Sequence, residues 1–265
     1  MVWMTVSRSV LFVALAVSCI ASQFPDVESI IAKSVEANDA DWKADPHYDY
    51  TEKDRTGAMA VTYRVTMMLG TPYSQRVMEN GRPLSPGQKR EEQQKYERTL
   101  AARRAESPRE RASRIAAWKK DRDRDHLMMS QLTKAFNFHI VRQQSLAGHH
   151  VWVVKATPRP DYQPPNMETQ ALKGMEGTLW IDKDTCQWVK VEARVVRPVS
   201  IEGFLARVEP GTYFELEKAP VSSGIWLTRH FSMRSSAKVL GMFHHGSAED
   251  ETYSGYRLSA SSAAK

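Results

Sequence analysis

Between residues 189 and 196 the chain alternates Val189, Val191, Ala193 and Val195 with Lys190, Glu192 and Arg194, the two-residue period of a strand with one dry and one wet face. Trp180 and Ile181 precede it, and Asp182, Lys183 and Asp184 separate the two runs, so 177–196 reads as a β-hairpin. One-sided wetting favours antiparallel neighbours. The period returns at 61–69, where Val61, Tyr63, Val65, Met67 and Leu69 alternate with Thr62, Arg64, Thr66 and Met68. A third strand follows at 73–78, closed by Asn80 and Gly81, a pair that tolerates positive φ. Residues 138–146 and 150–156, split by Ala147 and Gly148, form a second hairpin, and 213–217, 225–245 and 251–258 have strand composition.

The period changes to that of a helix at 25–43, where Val27, Ile30, Ile31, Val35 and Trp42 make one apolar stripe. Two further helix starts share one chemistry. Ser85-Pro86-Gly87-Gln88 and Ser107-Pro108-Arg109-Glu110 each put Ser at the cap, Pro at the first helical position and a carboxylate or amide three residues after the cap. The helices they begin are polar nearly all round, which predicts an insertion over 85–137 that projects into solvent more than it packs. At 200–208 the spacing of Ile201, Phe204, Leu205 and Val208 predicts a short amphipathic helix stopped by Pro210 and Gly211. Strands without parallel crossover units, accompanied by helices, place the chain in the α+β class, with a disordered tail at 259–265.

The N-terminus adds a compartment. Arg8, an apolar run over 10–20, then Ala21 and Ser22 follow the order of a secretory signal, and the run is too short to span a bilayer. The expectation is a signal at 1–22, export to the periplasm, and one domain at 23–258. Cys19 stands in a poor match to a lipidation site, so lipid anchoring there is not expected. The mature chain then keeps only Cys186, which reads as an apolar filler within a strand. A net charge of +6 is compatible with a membrane surface or a membrane-anchored protein as partner; no nucleic-acid role is indicated. A monomer is expected.

Candidate chemistry is sparse. The adjacent pairs His149-His150 and His244-His245 lie in strands, where neighbours point to opposite faces, so neither pair chelates one ion and no metal is expected. Glu249, Asp250 and Glu251 read as an acidic, solvated turn. There is no Gly-x-Ser-x-Gly elbow, phosphate-cradling loop or dinucleotide fingerprint, so neither an enzyme nor a cofactor is indicated. Twelve Met and seven Trp suit either an ordinary core or a pocket for flexible acyl chains.

Several phrases carry a family resemblance: TPYSQRVMENGRPLS from Thr71, GHHVWVVKATPRPDYQPP from Gly148, GTLWIDKDTCQWVKVEA from Gly177, FLARVEPGT from Phe204 and ETYSGYRL from Glu251. Together they resemble an exported bacterial family related to the outer-membrane lipoprotein-sorting proteins, the LolA/LolB-like superfamily, over about 71–258. The resemblance implies a strongly curved antiparallel sheet, an unclosed β-barrel, with helices covering its concave face and lipid or lipoprotein acyl chains bound between. It implies a carrier; the alternative is an envelope sensor of the same fold that binds a membrane-anchored partner. Ligand contacts in such carriers are spread over apolar side chains without a motif, so the candidates come from the apolar patterns above. They are Tyr63, Val65, Met67, Trp152, Val154, Val189 and Val191 on the strands, with Ile201, Phe204 and Leu205 as a lid.

Overall fold

The computed structural model describes residues 25–166, 168–201, 206–239 and 243–259. In chain order the elements are α1 (Val27–Ala44), β1 (Tyr48–Thr56), β2 (Met59–Met68), β3 (Thr71–Glu79), β4 (Arg82–Pro83), α2 (Pro86–Ala105), α3 (Pro108–Ser130), α4 (Leu132–Ala135), β5 (Phe136–Leu146) and β6 (His149–Pro158). There follow β7 (Met175–Asp182), β8 (Trp188–Val195), β9 (Val199–Ile201), β10 (Ala206–Val208), β11 (Tyr213–Ser222), β12 (Ile225–Val239) and β13 (Phe243–Leu258). One sheet runs β4-β3-β2-β1-β13-β12-β11-β8-β7-β6-β5, with β10 attached to β12 and β9 to β10. Every pairing is antiparallel, and the two ends of the path do not pair, so the sheet is unclosed.

The sheet curls toward its helices. In α3, Ile115 lies against Gly70 at the β2–β3 turn, and twenty residues later Ala135 of α4 leads into β5. A helix covers about 30 Å in that length. On a flat sheet the nine strand spacings from β3 to β5 would take about 43 Å.

Local chemistry explains the well-formed boundaries. Both serine caps close as full capping boxes: Ser85 accepts from the Gln88 N–H at 3.3 Å, and Ser107 from the Glu110 N–H at 3.3 Å. Asn80 and Gly81 both take positive φ, 50° and 74°, as a two-residue hairpin turn requires. Asp26 caps α1 through its side chain.

The helical insertion does not project. α2 runs along β3, where Gln88 donates to Glu79 at 3.2 Å, Arg76 pairs with Glu92 at 3.4 Å and Tyr96 packs on Tyr73 with ring centroids 5.6 Å apart. It thereby covers a sheet edge that the two-residue β4 leaves short. Arg103 donates to the carbonyls of Met68 and Thr71 at 2.8 and 3.1 Å, and Arg114 to Thr71 Oγ1 and Glu106 at 2.6 Å each. Most polar residues of the two helices are exposed, but Arg103 and Arg114 are spent on backbone carbonyls of the β2–β3 turn, which an apolar-stripe criterion does not register.

Three further expectations are corrected. Where a helix over 200–208 is expected, Val199–Ile201 and Ala206–Val208 form the strands β9 and β10, which pair with each other; β10 also pairs with β12 at Val208↔Ala237, and this pairing overrides the helical spacing. Cys186 is not within a strand but at φ 58° in the turn between β7 and β8, partly packed on the core. Glu249, Asp250 and Glu251 are no turn: they lie inside β13, paired with β12 and β1. At the C-terminus Ser259 is buried and its N–H donates to the His47 carbonyl at 2.8 Å, while 260–265 lie outside the described residues.

Candidate ligand-binding face

Directly paired residues share a face, so the register traces one row of side chains across the helix-covered side: Val154, Leu179, Val191, Leu216, Phe231, Glu251, Asp54, Val61. The first part is apolar and the last part is not. Over β6 to β8 the row is sealed by α1: Ile30 and Ile31 pack on Val154, Leu179, Ile181, Trp188, Val191 and Ala193 in the main core.

α1 is held in that position by a buried polar clamp. Asp41 accepts from the Trp226 N–H at 2.9 Å, from Gln187 Nε2 at 3.1 Å and from the Lys218 ammonium, which also donates to Asn38 at 2.7 Å. Asp41, Asn38, Gln187 and the Lys218 side chain are all buried. Desolvation depresses the Lys218 pKa, partly offset by the Asp41 charge. At the end of α1, Trp42 stacks on His126 at 4.2 Å and carries the Arg122 guanidinium 4.6 Å from its centroid; Arg122 also lies 5.3 Å from Trp118 and pairs with Asp45 at 3.5 Å.

Beyond α1 the face opens. The helices make their main sheet contacts on β12, β5 and β3, which leaves β13, β1 and β2 between them. Phe214, Leu216, Phe231 and Met233 remain half-buried, as do Val61, Tyr63 and Met67. Among them stand Tyr50, Tyr253 and Tyr256, with centroids 5.8 Å apart for Tyr50–Tyr253 and 5.3 Å for Tyr50–Tyr256. Glu52 lies opposite Tyr253 and Tyr63, and Glu251 opposite Asp54 and Phe231. Burial first, then the charges of Glu251 and Asp54, push the Glu52 carboxyl up to about 7. Burial also raises Tyr50 and Tyr256, and raises Tyr253 together with its hydrogen bond to Glu251.

The ten sequence candidates do not form one surface. Tyr63, Val65 and Met67 share the open part of the face, although Val65 is buried. Trp152, Val154 and Val191 belong to the main core, the last two buried beneath α1. Val189 stands on the other side of the sheet. A bulge between Trp180 and Ile181 of β7 pairs Ile181 with Trp188 and Trp180 with Lys190, which flips the parity at that point. Val189 joins Val151, Val153, Trp180 and Trp226 in a second core, and Trp188 joins the helix-side one. The Ile201 side chain, and Phe204 and Leu205 altogether, lie outside the described residues. Sequence reasoning missed Tyr50, Glu52, Phe231, Glu251, Tyr253 and Tyr256; the same-parity spacing of Tyr50, Glu52 and Asp54 was the available signal.

The opposite face is a lattice of charges, with Lys190 2.8 Å from Glu192 and 3.1 Å from Glu215, and His230 3.3 Å from Asp250. His149 sits 3.1 Å from Asp182. Among the described residues no group of three or more His, Cys, Asp or Glu is placed to hold a metal ion, and no helix is long and apolar enough to cross a membrane. Burial raises the Cys186 thiol pKa, the opposite of an activated nucleophile.

No family model matches the sequence, and no curated protein does. Among solved structures the chain is similar to a LolA superfamily protein from Nitrosomonas europaea, at 12% identity and TM-score 0.33, covering 87% of this chain and 92% of the other. It is similar to an outer membrane lipoprotein-sorting protein domain from Vibrio parahaemolyticus, at 10% identity and TM-score 0.33, covering 87% and 94%. A third is the MucA/MucB complex of Pseudomonas aeruginosa, at 12% identity and TM-score 0.24, covering 86% and 99%. These identities leave the ligand to the chain's own residues.

Proposed function

We propose that the protein is a non-enzymatic carrier of the bacterial envelope that shields the acyl chain of a lipid or lipoprotein on the helix-side face of its unclosed sheet. The observation that carries the reading is the group Phe214, Leu216, Phe231 and Met233. Phe214 and Leu216 border the main core, and Phe231 and Met233 lie opposite them on β12; all four are half-buried and adjoin β13, β1 and β2, the strands that the helices leave between their main contacts. Apolar area left at the rim of a core gains about 25 cal/mol per Å² when a ligand covers it. The curl of the sheet makes the surface concave, the shape in which a flexible chain loses most of its contact with water. The N-terminal segment, read as an export signal, supports the envelope as compartment.

The test is mass spectrometry of organic extracts from protein purified without detergent. Acyl-chain lipid is expected with the wild type and reduced with the double variant Leu216→Asn, Phe231→Asn, whose cooperative unfolding should persist because neither side chain is fully buried. Lipid-free wild-type protein that also fails to bind an alkyl probe in titration overturns the reading.

A further inference from the structure

Glu52, Asp54 and Glu251 form the acidic end of the open face. Among the described residues no ion pair involves Glu52, Asp54 or Glu251, although the sequence carries 37 Lys and Arg against 31 Asp and Glu. The cations nearest in the rows are committed elsewhere. Arg76, opposite Tyr63, pairs with Glu79 and Glu92 at 3.4 Å each, and Arg122 is held by Asp45 and two tryptophan rings. Asp54 and Glu251 occupy directly opposed positions of an antiparallel pair, where like charges destabilise a sheet. Around them the Tyr253 and Tyr256 rings each lie within 6 Å of the Tyr50 ring in tilted pairs, and aromatic faces attract a cation. The same row then runs directly into Phe231 and Leu216, so charge and apolar surface are continuous across two strand spacings, about 10 Å.

We propose that the amphiphile bound on this face is cationic: an alkylammonium or amine-headed lipid whose head lies against Glu52, Asp54 and Glu251 among the three tyrosine rings, and whose chain crosses Phe231 and Leu216 toward α1. The inference rests on the acyl-chain reading above and specifies its ligand by charge. A cation relieves the repulsion between Asp54 and Glu251, whereas an anionic head meets three carboxylates. A neutral head leaves the repulsion in place.

The experiment is calorimetric titration of the protein at pH 8 with dodecyltrimethylammonium, dodecyl maltoside and dodecyl sulfate, each below its micellar concentration. The ammonium compound is expected to bind at least about tenfold more tightly than the maltoside, the sum of one desolvated ion pair and ring contacts. Its advantage should shrink as sodium chloride is raised. The double variant Glu52→Gln, Glu251→Gln should bring ammonium affinity down to that of the maltoside, with the maltoside unchanged. Equal or tighter binding of maltoside or sulfate by the wild type overturns the cationic ligand while leaving the acyl-chain reading intact. Absence of binding by all three overturns both. The wild-type comparison and its salt dependence decide the matter even if the double variant does not fold.

Discussion

Replacing Glu52 by Gln should stabilise the protein at pH 8 and leave it unchanged near pH 4. The Glu52 carboxyl is raised from 4.5 to about 7 by burial and by the neighbouring Glu251 and Asp54 charges. A carboxyl with a raised folded-state pKa keeps its proton in the native protein at pH values where the unfolded chain has released it. Stability from this group therefore falls as pH rises from about 4.5 to about 7, and the full cost of holding the charge is present above that window. A displacement of roughly 2.5 units corresponds to at most about 3 kcal/mol, and partial solvent contact of the half-buried side chain brings the expectation to about 1–3 kcal/mol. Gln preserves the shape and removes the charge. Urea unfolding followed by tryptophan fluorescence at pH 4 and pH 8, for wild type and variant, isolates the effect of Glu52 and its coupling to Glu251 and Asp54, because titrating groups that do not interact with Glu52 cancel in the difference. Equal stability differences at the two pH values would refute the placement of Glu52 among Glu251, Asp54 and Tyr253.

Asp41→Ala strips the buried Lys218 ammonium, the Trp226 N–H and Gln187 of their common acceptor and should cost about 3–5 kcal/mol in urea unfolding, whereas the double change Asp41→Leu, Lys218→Met should cost much less. Ile31→Ala, at a side chain 2% exposed in the main core, should lose about 2–5 kcal/mol by the same measurement. Arg122→Ala removes the guanidinium between Trp42 and Trp118 and its ion pair with Asp45; a loss of about 1–2 kcal/mol is expected, with a change in tryptophan emission, and a wild-type melting curve would mean that α3 does not bind α1 through this residue.

Much of the fold could be read from local signals, because those signals act over a few residues. The Ser-Pro capping boxes fixed the starts of α2 and α3, Asn80-Gly81 fixed a hairpin, and the alternation at 61–69 and 189–196 announced strands of a one-sided sheet. An apolar stripe at Val27, Ile30, Ile31 and Val35 was enough to predict a helix lying on that sheet. These features depend on hydrogen-bond donors, backbone torsions and periodicity within one element, and no distant residue changes them.

What the tertiary structure decided are the relations between elements. One bulge opposite Trp180 and Ile181 moved Val189 away from Val191, although strict alternation places them together. Strand pairing, of β10 with β12 and of β9 with β10, overrode the helical spacing at 199–201 and 206–208, and carbonyls at the β2–β3 turn gave the arginines of α2 and α3 partners no periodicity could reveal. The meeting of Glu52 with Glu251 likewise requires β1 beside β13, elements about two hundred residues apart. Periodicity can assign a residue to a face of its own strand, but only the register between strands determines which side chains share that face with it, and here the register set acids and tyrosines beside an unfinished apolar row.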